Sequence, residues 1–199
     1  MKIRLKPLLG GLTTMLVPSA AATIGHRNYP HVDAAYYYRV WMSHLCLANH
    51  FHCWEAPDSL LEIGPGKSLG VGIAALLSGL HKYIAFDEAA LLPPENESHL
   101  VDELADFYQR QAAFEVSDPH FPKASIPTTI FSAERRAYFL SPEWLSRVKT
   151  SLQERHDLLA YHTDAAAIAA NSVDYLISHS VLEHVDDLPA TYARMRKWL

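Results

Sequence analysis

The sequence predicts an α/β fold, a doubly wound and mostly parallel sheet. Three observations point there. Short apolar runs of strand length recur at 59–63, 82–86, 158–161 and 173–178. Apolar helical segments lie between or after them, and a run that alternates strand with helix buries itself best as parallel strands under helices. The turn Gly64-Pro65-Gly66-Lys67-Ser68-Leu69-Gly70 sits between the first strand and the first following helix, where a tight strand-to-helix connection is needed.

Before the first strand, Asp33 is placed to cap a helix reaching about Asn49. Tyr36, Tyr37, Val40, Trp41, His44, Leu45 and Leu47 give that helix an apolar-aromatic face, and Tyr36, Tyr37 and Tyr38 are the part of it expected near a site. After the glycine turn, the run LGVGIAALL reads as a buried helix stopped by Gly79. Strand, helix and strand then make one crossover unit with parallel strands.

The interval 88–150 interrupts this rhythm. Pro93-Pro94 breaks the chain, 95–111 reads as a polar amphipathic helix, and 118–129 reads as a proline-bearing loop. Ser141-Pro142-Glu143 opens a further helix toward Glu154, with serine as cap and proline in the first turn. So long a connection suggests a lid or substrate-binding insertion. A short helix is expected over 165–170, and an amphipathic helix over 188–199. The expected organisation is an N-terminal helical extension, 1–57, and a ligand-binding domain, 58–199, carrying the 88–150 insertion.

Length and composition suit one domain with a sizeable core. A net charge of −5 argues against a nucleic-acid surface as the main partner. Cys46 and Cys53 make no disulfide framework, so a reduced, cytoplasmic setting is expected. The His50-Phe51-His52-Cys53 group lacks the converging ligands of a metal centre, and no metal is expected. The first 22 residues imitate a signal peptide, but glycines and threonines dilute the apolar run. That run is also too short for a transmembrane segment, which leaves weak contact with a membrane surface as a minor option.

Gly64 and Gly66 allow tight backbone geometry and close ligand approach. Glu62, in an otherwise apolar strand, is costly to bury without partners, and either a site or a salt bridge would explain it. Asp87 ends the second strand, where a carboxylate accepts from both hydroxyls of an adenosine ribose. Asp164 follows the third strand. It suits an adenine amine, with the Ala165 N–H on a ring nitrogen, or the cap of the next helix. Ser178-His179-Ser180-Val181-Leu182-Glu183-His184 follows the fourth strand, beyond the strand ends where ligands of open parallel sheets bind. His179 and His184 are the candidate general bases there.

Taken together, LLEIGPGKSLG (60–70), FD (86–87), HTDA (162–165) and VDYLISHSVLEHVDD (173–187) resemble the class I S-adenosylmethionine-dependent methyltransferases, in particular the methyltransferase-11-like group. The resemblance implies a Rossmann-like sheet in the order 3-2-1-4. It implies Glu62, Gly64 and Gly66 around the methionine part of S-adenosylmethionine, Asp87 on the ribose, and Asp164 with Ala165 on the adenine. Ser180 and the residues from His179 to His184 would lie beside the sulfonium and the acceptor. The family continues beyond the position of Leu199 into further strands, so the expected domain is incomplete, with an open edge on the fourth strand. The expected reaction is methyl transfer to a small molecule or glycan.

An NAD(P)-binding oxidoreductase is the alternative. Its fingerprint places the last glycine one residue closer, and the chain has no Tyr-x-x-x-Lys pair. A cofactor-binding module without turnover is the third reading.

Overall fold

In the computed structural model, the described residues are 33–53, 57–92, 97–114 and 127–199. The signal-like N-terminus, the Pro93-Pro94 break and most of the 118–129 loop lie outside them. Asp33–Leu199 form one compact unit.

Four strands form one sheet: β1 (Ser59–Ile63), β2 (Lys82–Phe86), β3 (Leu159–His162) and β4 (Tyr175–Ser178). All pairs are parallel, and the order is β3-β2-β1-β4. This is the Rossmann-like order that the sequence predicts. Every residue of β1 is buried, as expected of a central parallel strand covered on both faces.

The strand period of two divides the core. Leu61, Ile63, Ile84 and Phe86 face one way and pack with Ile168, Val173 and Trp198. Tyr83 faces the other way, under helix α2 (Gly70–Ser78), where a Cβ on Gly72 would overlap its ring. All nine residues of α2 are buried, which accounts for its lack of a polar face. Helix α1 (Ala34–His50) packs on α2. Trp41, fully buried in α1, donates its indole N–H to Ser78 Oγ at 2.8 Å.

The described helices of the 88–150 interval are α3 (Ser98–Gln109), α4 (Ala133–Phe139) and α5 (Pro142–Glu154). All three pack on α2 and complete a second helical layer. Leu100, Val101, Leu104, Trp144 and Val148 are buried in it. The described helices of this interval are thus integral to the core, and removing them would expose α2 rather than simply open a site. Arg135 of α4 donates to the carbonyls of Ser78 and Gly79 at 3.2 and 3.0 Å, satisfying the C-terminus of α2. Gly79, with φ of 121°, ends that helix as expected.

Two elements are shorter than the sequence pattern suggests. The helix expected over 165–170 is a single 3₁₀ turn, Ala165–Ala167, and β4 starts at Tyr175 rather than at 173. Asp174 leaves the strand period because its carboxylate accepts from the Asp58 and Ser59 amides, each at 3.0 Å. Helix α6 (Leu188–Trp198) closes the described chain, with Asp187 accepting from the Ala190 amide as its cap.

Candidate functional site

The carboxyl ends of β1 and β2 and the start of α2 build the site around the glycine turn. Gly64 has φ of +73° and Gly66 has φ of +70°, the left-handed region that favours glycine. Their surroundings differ. A Cβ on Gly64 would overlap the methyls of Val181, from the segment after β4, whereas a Cβ on Gly66 meets nothing within 4 Å. Gly64 is therefore a packing glycine, and Gly66 opens onto free space.

Carboxylates surround this turn. The Gly66 amide donates to Asp87 Oδ2 at 3.1 Å, and the Leu69 amide, at the start of α2, donates to Glu97 Oε2 at 2.9 Å. The Gly70 amide donates to Ser68 Oγ at 3.1 Å. The N-terminal amides that would receive a phosphate in a phosphate-binding turn are thus already engaged, two of them by acids. Lys67, the cation within the turn, is exposed.

Glu62 lies beneath the turn rather than in it. It is 4% exposed and accepts from the Tyr83 hydroxyl at 2.6 Å. Burial raises its pKa to about 7, opposed by the Tyr83 hydrogen bond and assisted by the charge of Asp87. The salt bridge that would otherwise explain Glu62 is not formed among the described residues. Asp87 is buried too, and desolvation raises its pKa to about 6 against the hydrogen bonds from Gly66 and Tyr161. Its Oδ1 has no hydrogen-bond partner among the described residues.

Tyr161 was not singled out by the sequence. Its hydroxyl is 3.4 Å from Asp87 Oδ2 and 3.2 Å from the Ala89 carbonyl, and it accepts from the Leu91 amide at 3.2 Å. Its position on β3, opposite Ala85 of β2, was the available signal. Glu97 was likewise missed, because it lies far along the chain from the turn it caps.

Asp164 is exposed and accepts from the Ala166 amide at 2.9 Å, so it caps the 3₁₀ turn that begins at Ala165. Both residues sit just past the carboxyl end of β3, beyond the same edge of the sheet as Asp87.

On the other side of the turn, α1 meets the segment after β4. The His179 ring lies 5.9 Å from that of His44 and 6.3 Å from that of Tyr36, both edge-on. Tyr36 in turn contacts Tyr37 at 5.5 Å, and Tyr37 fills the space that a Cβ on Gly70 would take. Desolvation holds His44 at a pKa of about 4, with repulsion from His179 adding to it. His179 is also lowered, by desolvation and by Arg39, with Glu183 opposing. Two buried polar atoms on this side, His44 Nε2 and Ser178 Oγ, have no hydrogen-bond partner. Ser180 holds φ of +56°, a turn that carries Val181 back over Gly64.

The second histidine stands apart. His184 is exposed on the 3₁₀ turn Leu182–His184, and its ring makes no contact among the described residues. The His50, His52 and Cys53 group is exposed, and no cluster of three or more metal-ligating side chains occurs among the described residues. No described helix is long and apolar enough to cross a membrane.

The class that fold and site define is an open, Rossmann-like parallel α/β sheet with its turn site at the carboxyl ends of the strands. No family model, curated protein or solved structure matches the chain.

Proposed function

We propose that the chain binds S-adenosylmethionine and transfers its methyl group to a small-molecule or glycan acceptor. The observation that carries this reading is the charge around the glycine turn. Asp87 and Glu97 occupy backbone amides at the turn, and Glu62 lies beneath it. A dinucleotide places a pyrophosphate dianion at such a turn, and the Asp87 and Glu97 carboxylates repel it. A ligand carrying a sulfonium and an ammonium is attracted by them. Asp87, with Oδ1 unpartnered, suits the ribose diol common to both ligand classes, so charge at the turn makes the choice.

The chemistry asked of the protein is positioning and desolvation. The acceptor atom forms a bond to the methyl carbon, and the carbon–sulfur bond breaks with its electron pair going to sulfur. The acceptor hydroxyl proton passes to His179, whose lowered pKa keeps the imidazole neutral and able to accept it at pH 7. Glu183 supports the imidazolium that results. Asp164 and Ala165 hold the adenine end, and Ser180 lies beside the sulfonium.

Calorimetric titration with S-adenosylmethionine, S-adenosylhomocysteine and NADH tests the reading. Binding of the two sulfur ligands is expected, with a loss of about a hundredfold in Asp87→Ala, where two charge-assisted hydrogen bonds disappear. Binding to NADH alone would replace methyl transfer with hydride chemistry. Binding of the sulfur ligands without transfer to any acceptor would mark a cofactor-binding module.

A further inference from the structure

Tyr161 ties the loop after β2 to β3 beyond the last backbone bond of their ladder, the Asp87 amide on the His162 carbonyl at 3.1 Å. It stands on β3, yet its hydroxyl reaches the acid at the end of β2 and both sides of the loop that follows. The Leu91 amide donates to it, and two acceptors compete for its one proton: Asp87 Oδ2 at 3.4 Å and the Ala89 carbonyl at 3.2 Å. A phenol can donate to only one of them at full strength. The same loop is held at its start by Arg194 of α6, which donates to Glu88 at 3.1 Å in an exposed pair of little energetic weight. Tyr161, bonded to both Ala89 and Leu91, is the tie further along the loop. Beyond it, Ala89, Ala90 and Leu91 are exposed and form an apolar lip beside Asp87.

We propose that Tyr161 is a positioning residue of the ligand site: its phenolic proton moves from Asp87 to the Ala89 carbonyl when a ligand diol takes Asp87, so the loop 88–91 stays tied while the carboxylate is released. Two features make this economical. Asp87 keeps Oδ1 free and the Gly66 amide on Oδ2, so it gains a diol without losing its hold on the glycine turn. Tyr161 exchanges one acceptor for another already within reach and leaves no buried group unpaired. The inference rests on the reading of an adenosine-bearing ligand, but the tie exists in the free protein and is testable there.

The groups facing Asp87 are the Gly66 amide from the turn, Tyr161 from β3, and Glu62 with Tyr83 from beneath. Among these, Tyr161 supplies a removable donor from outside the turn. Tyr161→Phe keeps the ring and deletes only the hydroxyl. In the free variant, amide exchange at Leu91 is expected to accelerate about tenfold, and the Asp87 carboxyl, followed by carbon-13 NMR, should titrate at higher pH than in the parent. S-adenosylhomocysteine affinity is expected to fall about three- to tenfold, because the lip is no longer held.

Unchanged Leu91 exchange together with an unchanged Asp87 titration would overturn the tie. Unchanged or tighter S-adenosylhomocysteine binding would overturn its part in ligand positioning and make Tyr161 a mere competitor. If the parent itself binds no S-adenosylhomocysteine, the methyl-transfer reading fails, while the two free-protein measurements still decide the tie.

Discussion

The two sides of the glycine turn are built on opposite terms. Toward β2 and β3, the polar groups are mostly matched: Asp87 Oδ2 with Gly66 and Tyr161, Tyr161 with Leu91 and Ala89, and Asp164 with Ala166, which leaves Asp87 Oδ1 and the buried Arg194 Nε without partners among the described residues. Toward β4 and α1, they are not. His44 Nε2 and Ser178 Oγ are buried without partners, His44 is held neutral, and His179 and His184 are exposed. Buried polar atoms left unpaired are costly and rare, and they collect where water or a ligand completes the set. Under the proposed methyl transfer, the matched side would meet the constant ligand with a preformed shell, and the unmatched side the variable one, whose own polar groups would complete the shell.

The sharpest way to break this comparison is at the turn that both sides share. Gly64→Ala is expected to destabilise the fold by about 4 kcal/mol, from the left-handed backbone together with overlap against Val181. Gly66→Ala carries the backbone part alone, about 1 kcal/mol, because its added Cβ meets open space. Urea unfolding of both variants checks the gap. The double variant Gly64→Ala, Val181→Ala should recover part of it, which would place the loss in the contact with the segment after β4. Equal losses at the two glycines would mean that Gly66 is packed after all.

Much of the matched side was legible in the sequence, and the reasons are local. A strand ending in acid, FD at 86–87, followed 21 residues after Gly66, put Asp87 opposite the turn because parallel neighbours in register end together. The caps at Asp33 and Ser141 were equally readable, since a cap and the amide it satisfies lie within three residues. Glu97 and Tyr161 were not legible, because their partners are 28 and 70 or more residues away and only the folded sheet brings them close. Helix α4 was missed although its cap is local, Ser132 accepting from the Arg135 amide. What fixes it on the core, the Arg135 side chain on the carbonyls of Ser78 and Gly79, spans 57 and 56 residues and follows a stretch that reads as loop. On the unmatched side the sequence pointed to Tyr36 and His179, but not to the ring contacts that join α1 to the segment after β4, which leave no periodic trace.

Glu62 sharpens the comparison from beneath. Its folded pKa, about 7, lies above its ordinary value of 4.5. The native state therefore binds a proton more tightly than the unfolded chain, and the stability tied to this group is full below about pH 4.5. It is lost as pH rises toward and through about pH 7, by about 3 kcal/mol in all. Asp87, raised to about 6 from 3.8, adds a loss of the same sign at slightly lower pH. Glu62→Gln keeps a group able to bond Tyr83 and cannot ionise. Its unfolding free energy should fall less between pH 5 and pH 7.5 than that of the parent, with the residual slope due to Asp87. A parent slope of opposite sign would show that Glu62 is stabilised as an anion.

The smallest effect tests the unmatched side directly, by setting its two histidines against each other. His179 contacts the rings of His44 and Tyr36 beside Val181 and the turn, while His184 stands free. Under methyl transfer, His179→Gln should lower kcat about a hundredfold, the low end of general-base catalysis, with little change in S-adenosylmethionine affinity. His184→Gln should change kcat by less than about twofold, since an exposed side chain without contacts has nothing to position. The acid limb of the parent kcat profile should fall below pH 6.5, because desolvation and Arg39 keep His179 neutral down to that range. It should vanish in His179→Gln. Raising the pKa of His179 by Arg39→Gln should move the limb upward without abolishing it, which separates a proton acceptor from a residue that merely packs. Equal effects at positions 179 and 184 would instead assign the rings around His179 to packing and return the acceptor side to open surface.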